Sequence, residues 1–429
     1  MDNKTPELLS PAGSLKSLRY AIAYGADAVY AGLPRYSLRV RNNSFHNREA
    51  LAEGIHTAHA AQKKFLLAVN VMAHNHKVHT FIRDLAPIVA LSPDALIMSD
   101  PGLIMMVREQ WPDMPIHLSV QANTVNYASV RFWQKLGIAR IILSRELSLD
   151  EIAEIRQQCP DIELEVFVHG ALCVAYSGRC LLSGYFNHRD SNQGACTNAC
   201  RWRYRIKEGE MPHEPPPLLI EETSRRSGEW MEISEDEHGT YIMNSRDLRA
   251  IAHVQRLIDI GIDCLKIEGR TKSHYYAART AQIYRRAIDD ALAQRTFDPS
   301  LLTELDALAN RGYTEGFFNR HAPQDTQNYE DGASSNYTQQ FVAEVIEYDE
   351  ASGLSTLAVK NRFEVGDDLY IITPQGNRAQ KLTALWNNDG ENITIAPGDG
   401  HIVKADIGET DAMTLVARVS EIRKTGSSK

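Results

Sequence analysis

The sequence contains no apolar run approaching the ~20 residues that a helix needs to cross a bilayer. Its opening stretch, Met1 to Pro6, carries no hydrophobic core of a secretion signal. These absences predict a cytoplasmic protein with no membrane partner. Cysteine is scarce, at six residues in 429, and four of the six are clustered; in a reducing cytosol such clusters more often bind metal or do redox work than form structural disulfides. Two reaction classes lack their usual motifs. There is no His-Glu-x-x-His helix for a zinc protease and no Gly-x-Ser-x-Gly elbow for a serine hydrolase. Nor does a glycine-rich dinucleotide fingerprint follow the first apolar run, which argues against an open, doubly wound sheet.

The net charge of −9 argues weakly against a nucleic-acid partner, but it is unevenly spread. Ten acidic side chains and two arginines fall within residues 208–237, so most of the excess is local. Elsewhere three stretches are basic. Residues 35–48 carry Arg35, Arg39, Arg41 and Arg48. Residues 201–207 carry Arg201, Arg203, Arg205 and Lys207, interleaved with Trp202 and Tyr204. Residues 270–286 carry Arg270, Lys272, Arg279, Arg285 and Arg286 with three tyrosines. Cations pair with phosphates and aromatic rings stack on exposed RNA bases. Arg201, Trp202, Arg203, Arg205 and Lys272 are therefore candidate RNA contacts. The competing reading is a set of intramolecular salt bridges, which weighs most on 270–286, where helical spacing sends Arg279 and Arg286 to one side.

Through residue 270 one theme repeats: a short apolar run, a polar tip, then a helical pattern. The runs are Glu7–Ser10, Ala28–Ala31, Phe65–Asn70, Ala95–Ser99, Ile116–Val120, Arg140–Ser144, Glu163–Val168 and Cys264–Ile267. Runs rich in Val, Ile and Leu suit strands buried on both faces. Helical patterns between them predict βα units and a TIM-like (β/α)8 barrel. A ninth run, Tyr241–Asn244, is assigned to an insertion before the last barrel strand. Residues 275–310 read as two helices. After a polar stretch, short alternating runs from Phe341 onward predict a small C-terminal all-β barrel. The expected division is a barrel domain at 1–320 with a cysteine-rich insertion at 171–240, a linker at 321–336, the β domain at 337–420 and a tail at 421–429.

Reacting groups in such barrels sit at the C-terminal strand ends. Those ends carry Ser10, Tyr30, Asn70, Asp100, Gln121, Asn123, Arg145, Glu146, His169, Glu268 and Arg270. Any one of them is as readily a solvated cap. The strongest local feature begins at the seventh run. Cys173, Cys180, Cys196 and Cys200 follow C-x6-C-x15-C-x3-C spacing. Four thiolates suffice for an iron–sulfur cluster or for zinc. Structural zinc favours paired knuckles, and one pair here is that close, so a cluster leads, with zinc and unliganded thiols as alternatives. Cys159 and Cys264 stand apart.

The stretch Glu165–Ser183 resembles the motif of the collagenase-like peptidase family of unassigned catalytic type. The likeness extends to Leu8–Gly13, Tyr24–Gly32, Lys266–Arg270, Arg311–Phe317 and Val359–Asp367, and so spans most of the chain. Within that family the chain is similar to members that hydroxylate tRNA uridine. The resemblance implies 5-hydroxyuridine formation at the wobble position, prephenate as co-substrate and an iron–sulfur cluster of the 4Fe-4S type. It implies tRNA as partner and an electron donor besides. Two carboxylates on prephenate call for guanidinium forks, which Arg39, Arg41, Arg145, Arg179 and Arg270 would supply. Asn70, Gln121 and Glu268 would read the uracil edge, and His169 would move a proton. Rival readings are a peptidase, as the family name has it, or an rRNA hydroxylase.

Overall fold

Each short Val/Ile/Leu run becomes a strand covered on both faces, and each intervening amphipathic stretch becomes a helix with a polar cap. The computed structural model describes residues 4–38, 43–172, 246–310, 312–319 and 339–419, with the backbone of short strands between 204 and 240. The barrel strands are β1 (Glu7–Pro11), β2 (Ala28–Gly32), β3 (Lys64–Val69), β4 (Ala95–Met98), β5 (Ile116–Leu118), β6 (Arg140–Ile142), β7 (Glu163–Ala171) and β8 (Cys264–Ile267). They are parallel and pair in sequence order, and β8 pairs with both β1 and β7, so the ring of eight closes. These are the eight runs predicted from sequence.

Among the described residues, the helices of seven residues or more are α1 (Leu15–Ala23), α2 (Arg48–Ala60), α3 (Phe81–Val89), α4 (Pro101–Gln110), α5 (Tyr127–Lys135), α6 (Leu149–Gln158), α7 (Val254–Ile260), α8 (His274–Leu292) and α9 (Ser300–Asp306). Several starts are written in side chains. Ser148 and Glu151 form a capping box at α6. Asp100 accepts from Gly102 N and Leu103 N at α4, where Pro101 opens the helix. Asp100, a strand-end candidate, is thus committed to capping. The run Tyr241–Asn244 lies outside the described residues. Beside it, Asp247–Arg249 pairs antiparallel with the end of β7, and Tyr313–Thr314 pairs with Asp247–Arg249. Within the acidic insertion, Tyr204–Glu208, Leu218–Glu222 and Trp230–Ile233 make a three-stranded antiparallel sheet.

The C-terminal unit is an antiparallel eight-stranded sheet with its own apolar core around Val342, Leu357, Phe363, Leu369 and Val403. It rests on α1 and α8. The Tyr24 hydroxyl lies 2.8 Å from the carbonyls of Ile372 and Met413. Gln282 Nε2 donates to Thr373 O at 2.8 Å, and Phe341 stacks on Tyr275 with centroids 4.7 Å apart. Glu344 meets Lys16 and Lys360 at 2.5 and 3.3 Å. Burial alone would raise its pKa, but His274 and Lys16 outweigh burial and hold it down at about 2.

Candidate functional site at the barrel mouth

The barrel interior is unusually charged. TIM barrels ordinarily fill their axis with branched aliphatic side chains. Here Lys266 on β8 meets Glu165 on β7 at 2.6 Å, with both side chains almost fully buried. Arg140 reaches Glu165 at 3.4 Å, Glu163 at 2.8 Å and Glu7 at 2.7 Å. His117 completes this floor. Burial first, then the charges of Arg140 and Lys266, push its pKa well below the ordinary imidazole value, so the ring is neutral. The Lys266 ammonium also sits 4.5 Å from the centroid of the Tyr30 ring.

Just past the end of β8, Glu268 occupies the mouth, 6% exposed. The Tyr30 hydroxyl lies 3.0 Å from Ile267 O and 3.3 Å from Glu268 Oε2. Arg145, just past β6, places Nη2 3.9 Å from the same carboxylate oxygen. Its guanidinium lies 3.8 Å over the Phe167 ring. Arg270 stands 5.6 Å from the Tyr30 centroid and donates to Leu38 O at 2.7 Å. Gly32 makes room for it: a Cβ there would fall 2.5 Å from Arg270 Nη1 and 2.3 Å from Ser37 Oγ. Asn70 Oδ1 accepts from Leu38 N at 3.2 Å, so Asn70 and Arg270 hold the two backbone polar groups of Leu38, its N–H and its carbonyl. Asn70 Nδ2 approaches Ser119 Oγ at 3.5 Å, and Ser119 Oγ lies 3.3 Å from Gln121 Oε1. Gln121 Nε2, Ser144 Oγ and Thr124 Oγ1 are buried with no hydrogen-bond partner among the described residues. Buried donors and acceptors left open cost free energy unless a polar ligand engages them. The mouth thus combines the Glu268 carboxylate, the Arg145 and Arg270 guanidiniums, the Tyr30 phenol and open amide and hydroxyl groups.

His169 does not join this set. The pairing of β7 with β8 shifts register, so that Lys266 faces Phe167 but Ile267 faces His169. The extra residue inverts the alternation. Phe167 keeps to the axis, and His169 turns onto Tyr276 and Tyr284 of α8 and onto Tyr313, with centroids 5.9, 5.5 and 5.4 Å away. Burial, then the charges of Arg249 and Lys272, push its pKa down to about 3. A proton-moving role at the mouth is therefore corrected: the ring packs behind the strand as neutral imidazole. Gly170, next in the chain, sits at φ +100, where a Cβ would stand 2.2 Å from Glu268 O.

The basic stretch of α8 is also structural. Arg279 and Arg286 do share a side, and both bind Glu304. Arg285 pairs with Asp27 at 2.9 Å. Lys272 lies 5.4 Å from the Tyr276 centroid and 3.4 Å from Ala309 O. Cys173, Cys180, Cys196, Cys200, Arg39, Arg41, Arg179, Arg201, Trp202 and Arg203 lie outside the described residues. Arg205 falls on a strand of which only the backbone is described, in register with Glu221. β7 ends at Ala171, two positions before Cys173. Phe167, Ser119 and Ser144 escaped the sequence reading. The alternation of inward positions along β5 to β7 is the signal that points to them.

Residues 13–328 match Peptidase family U32, and residues 337–416 match the C-terminal domain of that family. The chain is 61% identical to the tRNA hydroxylation protein P of Escherichia coli over 423 residues, 93% of each chain. It is 57% identical to the protein of the same name in Haemophilus influenzae, over 93% of this chain and 92% of that one. It is 32% identical to the 23S rRNA 5-hydroxycytidine synthase of Escherichia coli, over 73% of this chain and 42% of that one. With its barrel and its C-terminal unit both accounted for, this chain belongs to Peptidase family U32.

Proposed function

We propose that this chain hydroxylates C5 of the wobble uridine of tRNA in the cytoplasm, with prephenate as co-substrate and an iron–sulfur cluster as cofactor. The observation that carries the reading is the full-length similarity to relatives named for tRNA hydroxylation, at 61% identity over 93% of both chains. The mouth has the chemistry such a reaction asks of the protein. Arg145 and Arg270 are guanidinium forks for a dicarboxylate, and Arg39, Arg41 and Arg179 belong to the same proposed set. Gln121 and Asn70 offer amides to the uracil edge. Glu268, flanked by Tyr30 and Arg145, is the group that accepts a proton at the reacting ring. The thiols of Cys173, Cys180, Cys196 and Cys200 match the donor set of an iron–sulfur cluster, which when bound supplies one-electron redox chemistry. The β unit, 337–420, is assigned to docking tRNA.

The rRNA relative favours a second reading, hydroxylation of an rRNA base. A peptidase reading needs an activated nucleophile. The two described thiols, Cys159 and Cys264, are buried, and burial pushes the Cys264 thiol well above its ordinary pKa. The test is mass spectrometry of nucleosides from a deletion strain, with and without this gene and with and without prephenate supply. Loss of 5-hydroxyuridine derivatives from tRNA is expected. Unchanged tRNA with altered rRNA would move the assignment to rRNA.

A further inference from the structure

The segment after Tyr313–Thr314 displays one phenylalanine and buries the next. Phe318 is 5% exposed, its carbonyl accepts from Leu149 N at 3.1 Å, and its ring meets His253 edge-on at 5.8 Å. Phe317 is 43% exposed. Gly316 sets this difference. Its φ of +63 turns the chain, and its N–H donates to Thr314 Oγ1 at 3.1 Å. Leaving an aromatic face in water forfeits burial that the turn grants its neighbour. The exposed ring has particular company. It lines a small depression with Ser144, Arg145, Phe167 and Glu315. Arg145 is the residue that also reaches Glu268 in the mouth. One guanidinium therefore joins the rim depression to the candidate centre.

We propose that Phe317 is a stacking platform for an unpaired RNA base, the nucleotide next to the one held in the barrel mouth. A flat apolar face beside a guanidinium and a buried, unpartnered serine hydroxyl suits a nucleotide. The ring stacks on the base, Arg145 meets a phosphate or base carbonyl, and Ser144 Oγ takes a polar edge. An apolar protein segment would use the ring but leave the Ser144 hydroxyl, which has no hydrogen-bond partner among the described residues, unmatched. The inference rests on the RNA-modifying reading of the mouth and adds a subsite to it.

The test uses the full-length protein with Phe317→Ala, Phe317→Leu and Phe317→Trp. Binding of tRNA is read by fluorescence anisotropy, and 5-hydroxyuridine by nucleoside mass spectrometry. Thermal unfolding checks that the exposed substitutions leave the fold intact. The Ala and Leu variants should raise the Kd for tRNA about tenfold, and the Trp variant should stay within about twofold of the parent. Added indole fluorescence of Phe317→Trp should be quenched by an anticodon stem-loop. Parental affinity in Phe317→Leu, or equal losses in Leu and Trp, overturns stacking. So does a change in oligomeric state on substitution without a change in RNA binding, which would mean a second copy covers the ring. If the parent binds tRNA through Phe317 yet forms no 5-hydroxyuridine, the platform stands and the reaction assignment falls. If the parent hydroxylates and Phe317→Leu binds normally, the reaction stands and the platform falls. A parent that binds no RNA overturns both.

Discussion

Lys266 and Glu165 face each other at 2.6 Å inside the barrel, on adjacent strands and shut off from solvent. Removing one partner strands the other as a buried charge, at a cost of ~3–5 kcal/mol. Lys266→Met should therefore unfold at markedly lower urea, although Arg140 retains a share of Glu165. Glu165→Gln combined with Lys266→Met should recover part of the loss. A single variant within ~1 kcal/mol of the parent would show that the pair is dispensable.

Glu268 is the carboxylate at the mouth, and Glu268→Gln keeps its shape while removing its basicity. Hydroxylation should fall ~100-fold or more with tRNA affinity retained. Tyr30→Phe, which removes a flanking hydroxyl, should have a smaller effect. Equal rates in parent and Glu268→Gln, measured by single-turnover nucleoside analysis, would remove Glu268 from the chemistry.

Gly170→Ala puts a Cβ 2.2 Å from Glu268 O at φ +100, so backbone must move where β7 abuts the mouth. The variant should lose more than ~1 kcal/mol. It should also lose activity beyond what its stability explains. Calorimetry and assay at a temperature where the variant is folded separate the two effects.

Acid should destabilise the fold through its buried imidazoles. The folded pKa of His169 is about 3 and that of His117 is well depressed, whereas an unfolded histidine titrates near 6.5. Below pH 6.5 the unfolded chain takes up protons that the folded chain refuses. Stability is full above that pH and declines as pH falls toward 3. Glu344 adds a loss below the usual carboxylate value of 4.5, continuing toward its folded value of about 2. Between pH 6.5 and 4.5 the slope therefore belongs to histidines, and His169→Gln should flatten it in urea titrations. An unchanged slope in His169→Gln and in a His117 variant would contradict their neutrality.

Replacing each cysteine by alanine should divide the six into two groups. Cys173, Cys180, Cys196 and Cys200 variants should lose iron and the absorbance near ~400 nm of an iron–sulfur centre. Cys159→Ala and Cys264→Ala should keep both. Full iron in Cys196→Ala would refute four-thiolate ligation.

Periodicity alone marked all eight barrel strands, because a strand buried on both faces must be apolar throughout and must alternate with amphipathic helices. Helix α3 carries Pro87 inside its pattern, yet its apolar face of Phe81, Leu85 and Ile88 still packs. In the β unit, Gly376–Lys381 has no local apolar run, and pairing with Asp368–Thr373 makes it a strand. Polar strand ends were legible as a set, and Glu268, Arg145, Arg270, Asn70 and Gln121 do line the mouth. Which of them meet was not legible, because Tyr30, Arg145 and Glu268 are brought together only by barrel closure. A one-residue register shift, invisible in composition, turned His169 away from the axis. The amino-acid order by itself determined the family and the alternating architecture, since both reside in local pattern and motif. Only the tertiary structure decided which charges neutralise one another in the barrel floor and which remain at the mouth, because long-range pairing and burial set those partnerships.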